Sequence, residues 1–187
     1  MVFAGLDKVD WASMYHAYGP ATDVPDLLRD LLSDDSETRE WALDKLSIGV
    51  HHQQDVYEST VACVPFLLEA ALRPDGGDRP EVLQLVASIG GAGEDGIADW
   101  DEEEDGEDTF RNIVAARASI GRFLPELLAL LDDEDPEVRR TVVHVLAACR
   151  QHWDTVLPSL QERVPTEPDP HARASLIAAM LSACGCL

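Results

Sequence analysis

Apolar residues recur along this chain at steps of three and four, the spacing of one face of an α-helix. Leu27, Leu28, Leu31 and Leu32 form one stripe, and Ala42, Leu43, Leu46 and Val50 form a second. One hundred residues on, the pattern returns without a gap, with Val142, Val143 and Leu146 in its second stripe. The other landmarks repeat in phase. Pro25 matches Pro125, Asp35 matches Asp135, Glu37 matches Glu137 and Arg39 matches Arg139. A third copy runs from Pro158 through Asp169 and Pro170 to Arg173, with one extra residue between its halves and Leu176, Ile177 and Met180 in its second stripe.

Each copy predicts a helical hairpin. Pro25, Pro125 and Pro158 fall in the first turn of a first helix, where a missing N–H costs nothing. Asp35, Asp135 and Asp169 stand at the N-cap of a second helix, and Pro136 and Pro170 follow at its first position. Arg39, Arg139 and Arg173 each come four residues after the cap. Between the first two copies lies a degenerate hairpin. Residues 56–72 read as its first helix, with a break or kink expected at Pro65. Residues 80–89 read as its second, where Leu83 takes the place of the arginine and would interrupt an arginine row. Residues 109–121 resume as a helix through Ile113, Val114, Ala116 and Ile120. Residues 10–18, with Trp11, Met14 and Tyr15, are predicted as a capping helix ended by Gly19 and Pro20. The expected fold is all-α, a short right-handed α-solenoid of about four hairpins in a single domain over residues 1–187, with an N-terminal cap over 1–20.

Proline in the first helix, aspartate in the turn and arginine early in the second helix resemble HEAT repeats, so the hairpins read as HEAT-like. Residues 52–67, which hold His52, Cys63, Pro65 and Phe66, together with residues 11–25, also resemble a group of small actinobacterial HEAT-repeat proteins. The resemblance implies a binding surface or scaffold and supplies no catalytic residues. The three arginines repeat in phase with the fold, so their expected work is structural, pairing with the acidic turn or with the next repeat's cap.

Charge sharpens this picture. Thirty-six acids against fourteen Lys and Arg leave a net charge of -22. Such a chain is repelled by nucleic acid and anionic lipid, so neither is an expected partner. No apolar stretch reaches the roughly 18 residues of a membrane span. The first residues lack the basic region of a targeting leader. Four cysteines, two of them within helical stripes, suit a reducing cytoplasm. The last four residues lack the aliphatic pair of a prenylation box.

The acids concentrate in residues 91–108, which carry ten of them and no base. This segment is expected to be a flexible insert. Asp101, Glu103, Asp105 and Gly106 mimic the start of an EF-hand loop, but its twelfth position is Asn112 and no EF-type helices flank it. Trp100, set among Asp101, Glu103 and Asp105, offers an aromatic anchor within a charge field that would speed encounter with a basic partner. Trp41 is a second anchor. It stands where the copy one hundred residues on has Thr141, between Glu40 and Asp44, toward the rim of its helix.

Catalytic chemistry has little to stand on. His51 and His52 are adjacent and cannot share a helix face, and only His52, Asp55 and Glu58 keep near-helical metal spacing. No phosphate loop, nucleophile elbow, CxxC pair or HExxH motif occurs. No enzyme, metal or cofactor is expected. The expected function is non-catalytic binding of a basic protein through the concave side and the insert. By class, an immunity or antitoxin protein that neutralises a basic effector fits size and charge. A scaffold or adaptor, or a lyase-type helical repeat protein, are the alternatives. A DNA-glycosylase-type repeat fails on charge.

Overall fold

The computed structural model describes residues 3–93, 96–97 and 107–183. Among these the chain is mostly helical. Helices α1 (Val24–Asp30) and α2 (Ser36–Val50) form a first pair, and α3 (Glu58–Ala71) and α4 (Arg79–Ile89) a second. After α5 (Glu107–Gly121) come the pairs α6 (Leu124–Ala129) with α7 (Pro136–Ala148), and α8 (Trp153–Arg163) with α9 (Pro170–Ala183). Two antiparallel ribbons of two-residue strands complete the described elements, β1 (Tyr15–His16) with β2 (Gly19–Pro20) and β3 (Ala92–Gly93) with β4 (Gly96–Ile97).

The turns are built by their acids. Asp35 is extended, and its carboxylate accepts the Thr38 N–H at 2.9 Å. Asp135 accepts the Glu137 N–H at 2.9 Å, and Asp169 accepts those of His171 and Ala172 at 2.9 and 2.8 Å. These bonds satisfy donors that a helix start leaves orphaned. The first helix of the third pair tightens into a 3-10 turn at Leu130–Asp132 before the acidic link.

Neighbouring pairs meet along their apolar stripes. The first pair joins the second through contacts of α1 and α2 with α3, α4 packs on α7, and α7 packs on α9. Leu28, Leu46, Leu68, Leu83, Ile120 and Leu146 are fully buried along this core. Each such side chain contributes about 1.5–3 kcal/mol of hydrophobic stabilisation. α5 lies against α3 and α4, and Asn112 Nδ2 donates to the Val56 carbonyl at 3.0 Å. Helices α4 and α7 come so close that a Cβ on Gly90 would stand 2.5 Å from the Cβ of Ala148.

Three expectations change. The N-terminal region is not a capping helix. It consists of 3-10 turns at Leu6–Lys8 and Trp11–Ser13 followed by the β1–β2 hairpin. Side-chain partners explain the difference. His16 binds the Tyr18 N–H at 3.0 Å and Asp23 at 3.0 Å, and Ser59 Oγ donates to the Tyr15 carbonyl at 2.9 Å. Those bonds hold an open backbone that a helix would not permit, while Trp11 and Phe3 pack on Phe66. Pro158 does not lie in a first turn, because α8 begins at Trp153 and carries the proline inside. Pro65 lies within α3 without breaking it, so the break half of the expectation at that proline is not met.

Candidate functional site

The repeated arginines all sit at the acidic turns. Arg39 Nη1 donates to the carbonyls of Ser33 and Asp34 at 3.0 and 3.3 Å, and its Nε reaches Asp78 Oδ2 at 2.6 Å, before the next pair's second helix. Gly77 leaves room for this, since a Cβ there would fall 2.4 Å from Arg39 Nε. Arg139 repeats the arrangement. Its Nη1 donates to the carbonyls of Asp133 and Glu134 at 2.7 and 3.1 Å, and its Nε and Nη2 clasp the Glu167 carboxylate at 3.0 and 2.9 Å. Arg173 donates to the Glu167 carbonyl, its Nε at 2.9 Å, within its own turn.

Leu83 is buried in the core, yet the row of charges is not interrupted there. Arg79, at the start of α4, donates to the Ala71 carbonyl at 2.9 Å and grips Asp133 through two bonds of 2.6 and 3.3 Å. It does from the first turn what the others do from the second. Burial pushes the Asp133 carboxyl up, but the hydrogen bonds from Arg79 and from the Asp135 N–H outweigh it and leave the group below its usual range. Glu167 shows the same balance more strongly. It is 1% exposed, and bonds from Arg139 and the Asp169 N–H, with the charges of Arg139 and Arg163, hold it at about 2 against its burial.

The two adjacent histidines part company. His51 is buried at the end of α2. Its Nδ1 faces the Asp55 carbonyl at 3.1 Å, so that nitrogen carries the proton, and Nε2 accepts from Ser88 Oγ at 2.8 Å. Desolvation lowers its pKa below the usual imidazole value. His52 turns outward against Tyr18, with ring centroids 5.5 Å apart. Among the described residues no three His, Cys, Asp or Glu side chains come together as a metal site would need. Asn112 is committed to the Val56 carbonyl. Burial pushes the Cys149 thiol up to about 12 and the Cys63 thiol further still, which removes both as thiolate nucleophiles.

Trp41 lies on the outer face of α2 and is 52% exposed. Lys45 Nζ sits 5.8 Å from its ring centroid, and Ile48, 47% exposed, follows on the same face. The exposed acids Glu37, Glu40 and Asp44 surround this stripe. At the end of α2 the Ala17 N–H donates to the Gly49 carbonyl at 3.1 Å, which seats the β1–β2 hairpin at that helix end, where Tyr18, 66% exposed, lies against His52. The sequence offered Trp41 by its place in the repeat. Tyr18 and Ile48 were missed, and an exposed tyrosine next to a Gly-Pro pair is the signal that marks such a hairpin tip. Trp100, Asp101, Glu103 and Asp105 lie outside the described residues.

Among the described residues no helix is long and apolar enough to cross a membrane. The comparison with curated proteins found no match. Among solved structures, a designed armadillo repeat protein, YIII(Dq)4CqI, is similar at 18% identity over 86% of this chain and 99% of that chain, with a TM-score of 0.28. A family model described as HEAT repeats matches residues 107–180, the span that holds α5 to α8 and most of α9. With acid-capped helical pairs on both sides of residue 107 and a repeat-family match from there onward, the chain is a HEAT-like repeat protein.

Proposed function

We propose that the helical pairs form a short right-handed solenoid of about four repeats that binds a basic protein without catalysis. HEAT-type repeats are in general protein-interaction modules, which supports the class of function. The observation that carries the partner's chemistry is how the charges are spent. Among the described residues, eight arginines are ion-paired to acids of the same chain. A net charge of -22 remains, so the surplus facing outward is acid. Such a surface steers cationic proteins and repels polyanions. Within that class we place the protein as an immunity or antitoxin type that neutralises a basic effector. Trp100 with Asp101, Glu103 and Asp105 serves as one contact, and the α2 face around Trp41 as another.

The test pairs the chain with the basic protein encoded nearest to it and measures association at two salt concentrations. The on-rate should fall steeply with salt, because screening acts within about 8 Å at physiological ionic strength. Deletion of residues 98–106 should slow association, and Trp100→Ala should mainly speed dissociation. An on-rate indifferent to salt overturns the basic partner. Binding without protection of cells that express the partner overturns the immunity role and leaves a scaffold.

A further inference from the structure

α2 has two faces of different fate. Ala42, Leu46 and Val50 are wholly buried against the neighbouring helices. Trp41, Lys45 and Ile48 fall on the opposite side and stay open. Trp41 and Ile48 are seven residues apart, two turns or about 10 Å along the axis, and point the same way. An indole and an isoleucine left half in water at that spacing mark a surface used for contact.

Charge names the occupant. The stripe is edged by Glu37, Glu40 and Asp44, all exposed, and lies on a chain of net charge -22. The chain has two lysines, and one of them, Lys45, rests over the Trp41 ring. The ring face is therefore already occupied by a cation. A guanidinium is planar, more weakly hydrated than an ammonium and stacks better on an indole, so a partner arginine displaces Lys45 at a gain. Ile48, with Tyr18 beyond it, then takes an apolar side chain from the same segment.

We infer that the outer face of α2 docks a basic amphipathic helix of a partner protein, with one of its arginines stacked on Trp41 in place of Lys45 and an apolar residue two turns along seated on Ile48 and Tyr18. This rests on the reading of a basic protein partner and adds the surface, the anchors and the mode.

The probe is a synthetic helical peptide with arginine and leucine seven residues apart on one face and otherwise basic, titrated into the full chain. A second peptide replaces that arginine by glutamine. The readout is the Trp41 indole N–H resonance, assigned with Trp41→Phe, alongside the affinity at two salt concentrations. The arginine peptide should shift Trp41 and Ile48 and leave the buried Trp11 still. Trp41→Ala and Ile48→Ala should each weaken it about tenfold or more without changing the melting temperature, as exposed residues permit. Lys45→Ala should tighten it about two- to fivefold, an effect that a purely structural Lys45–Trp41 contact would not give. Peptide binding that leaves Trp41 and Ile48 unmoved overturns this surface while the basic-partner reading stands. Equal affinity for the arginine and glutamine peptides overturns the stacking. Failure of every basic peptide to bind at low salt overturns both readings.

Discussion

Arg139 and Glu167, twenty-eight residues apart, close a buried ion pair in which the guanidinium clasps the carboxylate through bonds of 3.0 and 2.9 Å. Arg139 also binds two carbonyls of its own turn, so one side chain ties the start of α7 to the turn before α9. Burying both charges is expensive, and each is tolerable because the other is there. Removing one leaves the other stranded. Arg139→Ala should lower stability by about 3 kcal/mol, read from urea unfolding, and Arg139→Lys should recover only part, since an ammonium cannot span carboxylate and carbonyls together. An unchanged midpoint would make Arg139 a surface group and refute the buried pair.

Glu167 makes the same joint sensitive to acid. Its folded pKa of about 2 lies below the ordinary 4.5. A depressed carboxylate stabilises the fold fully above the unfolded value and loses that contribution as pH falls from about 4.5 through about 2. Wild-type stability should decline over that window. In Arg139→Ala the decline should be shallower, because less of the depression remains to be lost. Unfolding free energies at several pH values check the difference.

His51 acts at higher pH and in the opposite chemical sense. Desolvation lowers its pKa from 6.5, because burial disfavours the charged ring and outweighs the hydrogen bonds that favour it. Protonation is therefore favoured in the unfolded chain, and stability should be full above pH 6.5 and fall below it. His51→Phe should flatten the curve between pH 7 and the folded-state pKa. Thermal melts from pH 7.5 to 5 distinguish the two slopes.

Gly90 and Ala148 mark a close approach between the second and third pairs. Gly90→Ala would set two methyl-sized groups 2.5 Å apart and should cost about 1–3 kcal/mol. Ala148→Gly should restore part of that loss in the double variant. The coupling energy from a double-mutant cycle measures it, and strict additivity would mean that the helices simply slide apart.

Periodicity made most of the fold legible. The stripes of Leu27 to Leu32 and of Val142 to Leu146 locate helices, and Asp35, Asp135 and Asp169 locate their starts, because caps and stripes are local properties. Trp11 to Tyr18 misled. Its apolar spacing suits a helix, but His16, Ser59 and Asp23 hold a hairpin through partners that no local pattern shows. Around the turns, the spacing placed Arg39, Arg139 and Arg173 but could not name Asp78 or Glu167, which come from the next pair. Arg79 escaped for a related reason. It lies one helical turn before the position the motif watches, although its reach ends on an equivalent acid.

Arg117 Nε holds the Gly90 carbonyl at 2.8 Å, and Arg79 grips Asp133 fifty-four residues away. The end of α4 and the C-terminal half of α5 are thus clamped to each other, and the pairs on either side are fastened independently of what runs between. Lengthening a tethered segment costs free energy only logarithmically, about 0.6 kcal/mol for each doubling. Residues 91–97 are tied to the framework by the buried Ala92 and the β3–β4 pairing, but a change of sequence or length between residues 98 and 106 touches neither clamp. Selection can rewrite that segment while the framework keeps its shape.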